Sequence, residues 1–165
     1  MKSVANKHQH QYKTILEWTG NSGVGTSGYT FYERNYQMAV DGKPIIQGSS
    51  DPAFRGDSSK YNPEELFLVS ISSCHMLWYL HLCSVNNIVV FDYDDQAEGI
   101  MTENKDGSGQ FECVTLHPTV VVKDSLMVEQ AKALHQQANE KCFIANSCNF
   151  EIGHEVEVTF SKSEP

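Results

Sequence analysis

Residues 66–85, LFLVSISSCHMLWYLHLCSV, are apolar almost all the way round a helical projection instead of along one stripe. A helix of that kind is either buried on most sides or crosses a membrane. Ser70, Ser72, Ser73, His75 and His81 interrupt the run, so it falls short of the roughly 18 unbroken apolar residues of a membrane span. The preceding Asn62-Pro63-Glu64-Glu65 is a strong helix start, with Asn as N-cap, Pro at the first position and two acids facing the positive end of the helix. The chain must therefore fold around a central, interior helix.

The cover for that helix has to come from 165 residues, about the size of one domain. A single domain over 1–165 is expected, with residues 1–11 as a flexible N-terminal extension. Chains of this size bury roughly 70% of their unfolded surface and fold without metal or disulfides. A helix that is apolar on all sides nevertheless wants more cover than one such chain easily supplies, which favours an intimate homodimer.

The rest of the pattern is strands. Residues 12–18 read as one strand, and the alternation of Tyr32, Arg34, Tyr36, Met38 and Val40 as a second over 29–40. Asp41-Gly42 marks a hairpin turn into a short strand over 43–47. A long polar loop, GSSDPAFRGDSSKY, fills 48–61, a length that is often functional. Strands are expected over 88–93, 110–122 and 154–160, with Asp92 to Asp95 partly a solvated acidic turn. A second helix over 124–141 carries Leu126, Ala131, Leu134 and Ala138 on its apolar side. This order predicts an α+β fold with antiparallel sheets packed around long central helices.

Twelve basic and 21 acidic residues leave a net charge of −9, which argues against nucleic acid and anionic membrane as partners. The N-terminal segment lacks the apolar core of a signal peptide, so a cytoplasmic location is expected. In a reducing compartment the five cysteines, Cys74, Cys83, Cys113, Cys142 and Cys148, are core fillers, metal ligands or reactive thiols. Metal ligation fits poorly, because His75 and His81 are six apart and Cys74 and Cys83 nine apart, so neither pair matches the spacing of ligands on one helix face. Cys74 stands out. It lies in a small polar patch, Ser72-Ser73-Cys74-His75, within the most apolar helix. A thiolate there needs a cation or hydrogen-bond donors to become reactive. The chain has only two arginines, Arg55 in the loop before the helix and Arg34 among tyrosines on the strand face. His75 points about 100° away from Cys74 and is a poor base for it.

Asn62-Pro63-Glu64-Glu65-Leu66, followed by Ser73-Cys74 in a hydrophobic helix, resembles the osmotically inducible protein C / organic hydroperoxide resistance family. There an Asn-Pro-Glu motif precedes the reactive cysteine by the interval that separates Glu64 from Cys74. Cys142-Phe143-Ile144-Ala145-Asn146-Ser147 occupies the place of that family's second-cysteine segment, without its proline. The resemblance implies an OsmC-like intertwined homodimer acting as a thiol peroxidase on organic hydroperoxides. It implies Cys74 as the attacking thiol, Cys142 as its disulfide partner (Cys148 being the alternative), and Arg55 and Glu64 as electrostatic support, Arg34 being the rival to Arg55. An external dithiol, such as a lipoyl group, would recycle the protein, and no metal or prosthetic group is implied. Glu64 and Cys74 lie about 15 Å apart along one helix, so a shared site needs a second subunit or a break near Ser70. Two other classes fit the residues: a lipid or small-molecule carrier with incidental cysteines, and a Cys-dependent hydrolase or acyltransferase with a histidine base.

Overall fold

The computed structural model describes residues 8–161, so most of the expected N-terminal extension lies outside the described residues. The chain divides into two compact units at Glu64/Glu65. In the N-terminal unit, β1 (Ile15–Trp18), β2 (Tyr36–Ala39) and β3 (Ile46–Gly48) form an antiparallel sheet in that order. The Asp41-Gly42 turn forms as expected. Lys43 N–H donates to the Val40 carbonyl at 3.0 Å, and Gly42 takes a φ of +74° that suits glycine.

The strand expected over 29–40 is shorter. Tyr32 makes one isolated bridge to Asn21, and Arg34 precedes β2. A turn closed by Phe31 N–H to the Gly28 carbonyl at 3.0 Å competes with the ladder. The Arg34 guanidinium also donates to the Tyr32 and Tyr29 carbonyls at 2.7 and 2.9 Å, taking acceptors that a strand would need.

The long loop is compact. Asp51 caps a 3₁₀ turn over Pro52–Phe54, accepting from Ala53 N–H at 2.7 Å. The buried Ser49 hydroxyl accepts from Asp57 N–H at 3.0 Å, while Ser49 N–H donates to the Tyr61 carbonyl at 3.0 Å.

The helix α1 (Pro63–Val85), whose residues from Glu65 onward belong to the C-terminal unit, runs unbroken through the predicted segment. It ends at Asn87, whose φ of 58° lets Ile88 N–H reach the Cys83 carbonyl at 2.9 Å. By length and composition α1 could cross a membrane, but one stripe of it (Ile71, His75, Tyr79, Leu82, Cys83) is buried in protein. Burial on most sides was expected, whereas Val69, Leu77 and Val85 are exposed in the single chain.

Six strands follow: β4 (Val90–Asp95), β5 (Glu98–Glu103), β6 (Gly109–Leu116), β7 (Pro118–Val122), β8 (Glu151–His154) and β9 (Glu157–Phe160). The helix α2 (Val128–Lys141) lies between β7 and β8, entered through Asp124, which caps a 3₁₀ turn by accepting from Leu126 N–H at 2.8 Å. The strands form two sheets, β4-β7-β9 and β5-β6-β8. The expected antiparallel pairing forms between β4 and β7 and between β5 and β6, while β6 pairs with β8, and β7 with β9, in parallel. A parallel pair needs a long crossover, and α2 supplies it.

The single strand expected over 110–122 breaks at His117-Pro118, because Pro118 has no N–H and the His117 N–H donates to Asp95 Oδ1 at 2.7 Å. The strand expected over 154–160 breaks at the matching place. Glu155 N–H crosses to the Leu116 carbonyl at 2.8 Å. Asp92 to Asp95 belong to β4 instead of a solvated turn, and Asp95 also accepts from Ser72 Oγ. Two apolar clusters result. One joins Tyr79, Leu82 and Cys83 of α1 to Ala131, Leu134 and Ala138 of α2 and to Val120, Val122 and Val158 of the sheet. The other gathers Ile71, Val114 and Leu116 beneath Phe67, Phe111 and Phe150. Leu126, expected in the core, is 90% exposed, because it sits in the 3₁₀ turn ahead of α2.

Candidate functional site

Cys74 sits in the middle of α1, half-buried, among serines whose hydroxyls are already engaged. Ser70 donates to the Phe67 carbonyl at 2.6 Å and Ser73 to the Ser70 carbonyl at 3.3 Å, the usual back-bonding of serine inside a helix. Ser72 is tied to Asp95.

Cys142 closes α2. Its N–H donates to the Asn139 carbonyl at 3.2 Å, after which the backbone turns extended. Where the family motif would have a proline, Phe143 stands. The turn is held instead by Ala145 N–H, 3.4 Å from Cys142 Sγ, and by Asn146 Nδ2, which donates to the Glu140 carbonyl at 3.0 Å. Cys142 is fully buried, and its thiol is near enough to Cys74 for the two to influence each other's protonation. Burial first, and then the neighbouring Cys74, hold the Cys142 thiol above the ordinary range, so Cys142 keeps its proton at neutral pH.

A cleft of about 350 Å³ opens on Cys74, lined also by Leu77, Trp78, His81 and Phe143. Trp78 and Phe143 meet edge to face, with ring centroids 5.7 Å apart, and the ammonium of Lys141 lies 5.8 Å from the Trp78 ring. His81 packs edge-on to Trp78 at 5.7 Å. It stands two turns from Cys74, about 10.5 Å along the helix, beyond the reach of a direct base.

Cys148, the alternative partner, donates its thiol to the Ile144 carbonyl at 3.2 Å and packs against the Ile71 cluster. Cys83 is buried in the core and Cys113 half-buried on β6, and all five cysteines are free thiols. Arg34 lies over the rings of Tyr32 and Tyr29, at 4.2 and 4.5 Å, in the structural role its sequence neighbours suggest. Arg55 ends the 3₁₀ turn of the N-terminal unit with a φ of 65°, its guanidinium 5.7 Å from the Tyr29 ring. Glu64 is the second residue of α1, which has no break near Ser70.

Reasoning from the residues did not find Leu77, Phe143 or the role of Trp78 as a cleft wall. The helical spacing of Cys74, Leu77, Trp78 and His81 (i, i+3, i+4, i+7) was the available signal.

Behind the cleft lies a buried imidazole cluster. His75 Nε2 and His135 Nδ1 are 3.0 Å apart, and both residues are buried. His135 stacks on Tyr79 at 3.8 Å, and His154 approaches both imidazoles, at 5.8 and 6.1 Å. His75 Nδ1 and His135 Nε2 have no hydrogen-bond partner among the described residues. Desolvation, reinforced by the neighbouring imidazoles, lowers His75 to a pKa of about 4 and His135 to about 3, so both are neutral at pH 7. Among the described residues no three His, Cys, Asp or Glu side chains are gathered to hold a metal ion.

A family model described as OsmC-like protein matches residues 56–157. An OsmC-like protein of unknown function from Vibrio cholerae O1 biovar eltor is 30% identical and superposes with a TM-score of 0.79, over 90% of this chain and 99% of that one. An OsmC-like protein from Mycoplasma pneumoniae is 14% identical, with a TM-score of 0.71 over 92% of this chain and 99% of its own. An organic hydroperoxide resistance protein OsmC from Legionella pneumophila is 21% identical, with a TM-score of 0.64 over 92% and 99%. None of the curated proteins matches the sequence significantly.

Proposed function

Since the chain belongs to the OsmC-like protein family, we propose that it is a cytoplasmic thiol peroxidase that reduces organic hydroperoxides. One observation carries the reading: the Cys74 thiol lines an apolar cleft and has the buried Cys142 thiol as its neighbour. The Cys74 thiolate attacks the terminal peroxide oxygen, and the O–O bond breaks. The alkoxide leaves and takes a proton to become an alcohol, and Cys74 becomes a sulfenic acid. Cys142 then attacks the Cys74 sulfur. Its proton leaves with the sulfenic hydroxyl as water, and the disulfide forms. An external dithiol returns both cysteines to thiols and is itself oxidised.

The walls of Leu77, Trp78 and Phe143 suit an organic group better than hydrogen peroxide. Organic hydroperoxide resistance proteins among the structural neighbours support the same substrate class. In this scheme Arg55 stabilises the thiolate and Glu64 orients Arg55. Glu64 and Cys74 lie on one unbroken helix about 15 Å apart, so Glu64 serves the site of a second copy. The exposed apolar residues of α1 and of β1, such as Leu77, Val85, Ile15 and Leu16, offer faces for that copy. A hydrolase reading has less support, since the His75 Nε2 is committed to His135.

The test is mass spectrometry after one equivalent of cumene hydroperoxide. A Cys74–Cys142 disulfide is expected in the wild type. Cys142→Ser should stop after a single turnover with sulfenic acid on Cys74, and Cys74→Ser should consume no peroxide. Multiple turnovers by Cys74→Ser would remove the proposal.

A further inference from the structure

The two contacts between α1 and α2 that matter for the thiols fall on neighbouring α1 residues. Cys74 neighbours Cys142, and His75 Nε2 lies 3.0 Å from His135 Nδ1. On α2 the partners are seven residues apart, on the same face and separated by two turns, or about 10.5 Å. Otherwise the two helices share one apolar cluster, to which α1 gives Tyr79, Leu82 and Cys83 and α2 gives Ala131, Leu134 and Ala138. Apolar burial of this sort is largely non-directional and tolerates small rotations. A rotation of α1 by about 20° moves a Cα at 2.3 Å from the axis by about 0.8 Å, more than a reactive pair tolerates. A hydrogen bond between two planar rings, 100° round the helix from Cys74, opposes that rotation. It is also a costly way to fill a core, because one nitrogen of each ring stays without a partner among the described residues.

We propose that the buried His75–His135 pair is a positioning device that sets the rotation of α1 and holds Cys74 against Cys142 for disulfide closure. The proposal rests on the Cys74–Cys142 reading above. Neither histidine touches substrate.

The experiment compares wild type with His75→Leu/His135→Leu and with His135→Gln. Diamide, which takes one hydrogen from each thiol across its N=N bond, drives the disulfide closed without any hydroperoxide. Equilibration against reduced and oxidised dithiothreitol then gives the effective concentration of the two thiols. Replacing both partners by apolar groups leaves no unpaired polar atom between them, so the double variant should still fold cooperatively. Its effective concentration should fall about tenfold, the equivalent of one net hydrogen bond, and closure should slow. Glutamine at 135 keeps an amide able to meet His75 and should restore closure. A folded double variant with the wild-type effective concentration would overturn the proposal. So would a His135→Gln variant as poor as the leucine one, a comparison that holds even if the double variant fails to fold. Loss of peroxide turnover with normal closure under diamide would instead count against the peroxidase reading alone.

Discussion

Acidification from pH 7.5 to pH 5 should cost this protein several kcal/mol of stability, and the two buried imidazoles should account for most of it. In the unfolded chain each histidine has an ordinary pKa of about 6.5. In the fold His75 lies at about 4 and His135 at about 3, principally because burial opposes their charge. Their folded values are depressed, so their contribution is intact above pH 6.5 and is lost as pH falls toward the folded values. At pH 5 the proton bound only by the unfolded state is worth ~2 kcal/mol per histidine, or ~4 kcal/mol for the pair. That figure depends on the unfolded pKa and hardly on the folded one, provided the latter stays below 5. Against a typical total of 5–15 kcal/mol it is a large fraction. His154, lowered by partial burial, acts in the same direction. Asp57, held at about 2 chiefly by hydrogen bonds to Ser59, titrates below the window. Urea denaturation at both pH values and constant ionic strength measures the difference. The same pair of measurements on His75→Leu/His135→Leu isolates the imidazoles, because all other groups cancel. A wild-type loss below ~1 kcal/mol, or an equal loss in the double variant, would refute the reasoning.

Three further outcomes follow from particular contacts. Gly56→Ala should destabilise by ~2 kcal/mol or more in thermal or chemical denaturation, since a Cβ there would lie 1.5 Å from the Ser50 carbonyl oxygen. Arg55→Gly should leave stability unchanged or raise it by up to ~1 kcal/mol by relieving the φ of 65°, while peroxide turnover drops sharply, which separates backbone strain from guanidinium chemistry. Phe143→Ala should cost less than ~1 kcal/mol, because the ring is 67% exposed. It should nevertheless raise KM for cumene hydroperoxide several-fold, with the rate toward hydrogen peroxide unchanged, as read by stopped-flow kinetics.

Local chemistry along the chain was enough to place α1, from its Asn62-Pro63 start to its apolar run, and the Asp41-Gly42 turn. It also identified the α2 positions Ala131, Leu134 and Ala138, because caps, turns and helical periodicity act over a few residues. The same reasoning merged β6 with β7 and began its last strand at the end of β8, since a strand's alternation does not reveal where a carboxylate such as Asp95 will intercept an N–H from across the sheet. The direction of pairing was hidden for a related cause: it depends on the crossover through α2. A separation of 68 residues from Cys74 to Cys142 carries no spacing rule that brings two sulfurs together, and the 60 from His75 to His135 carries none for two rings. Those meetings exist only because α1 and α2 bury their apolar residues in one shared core.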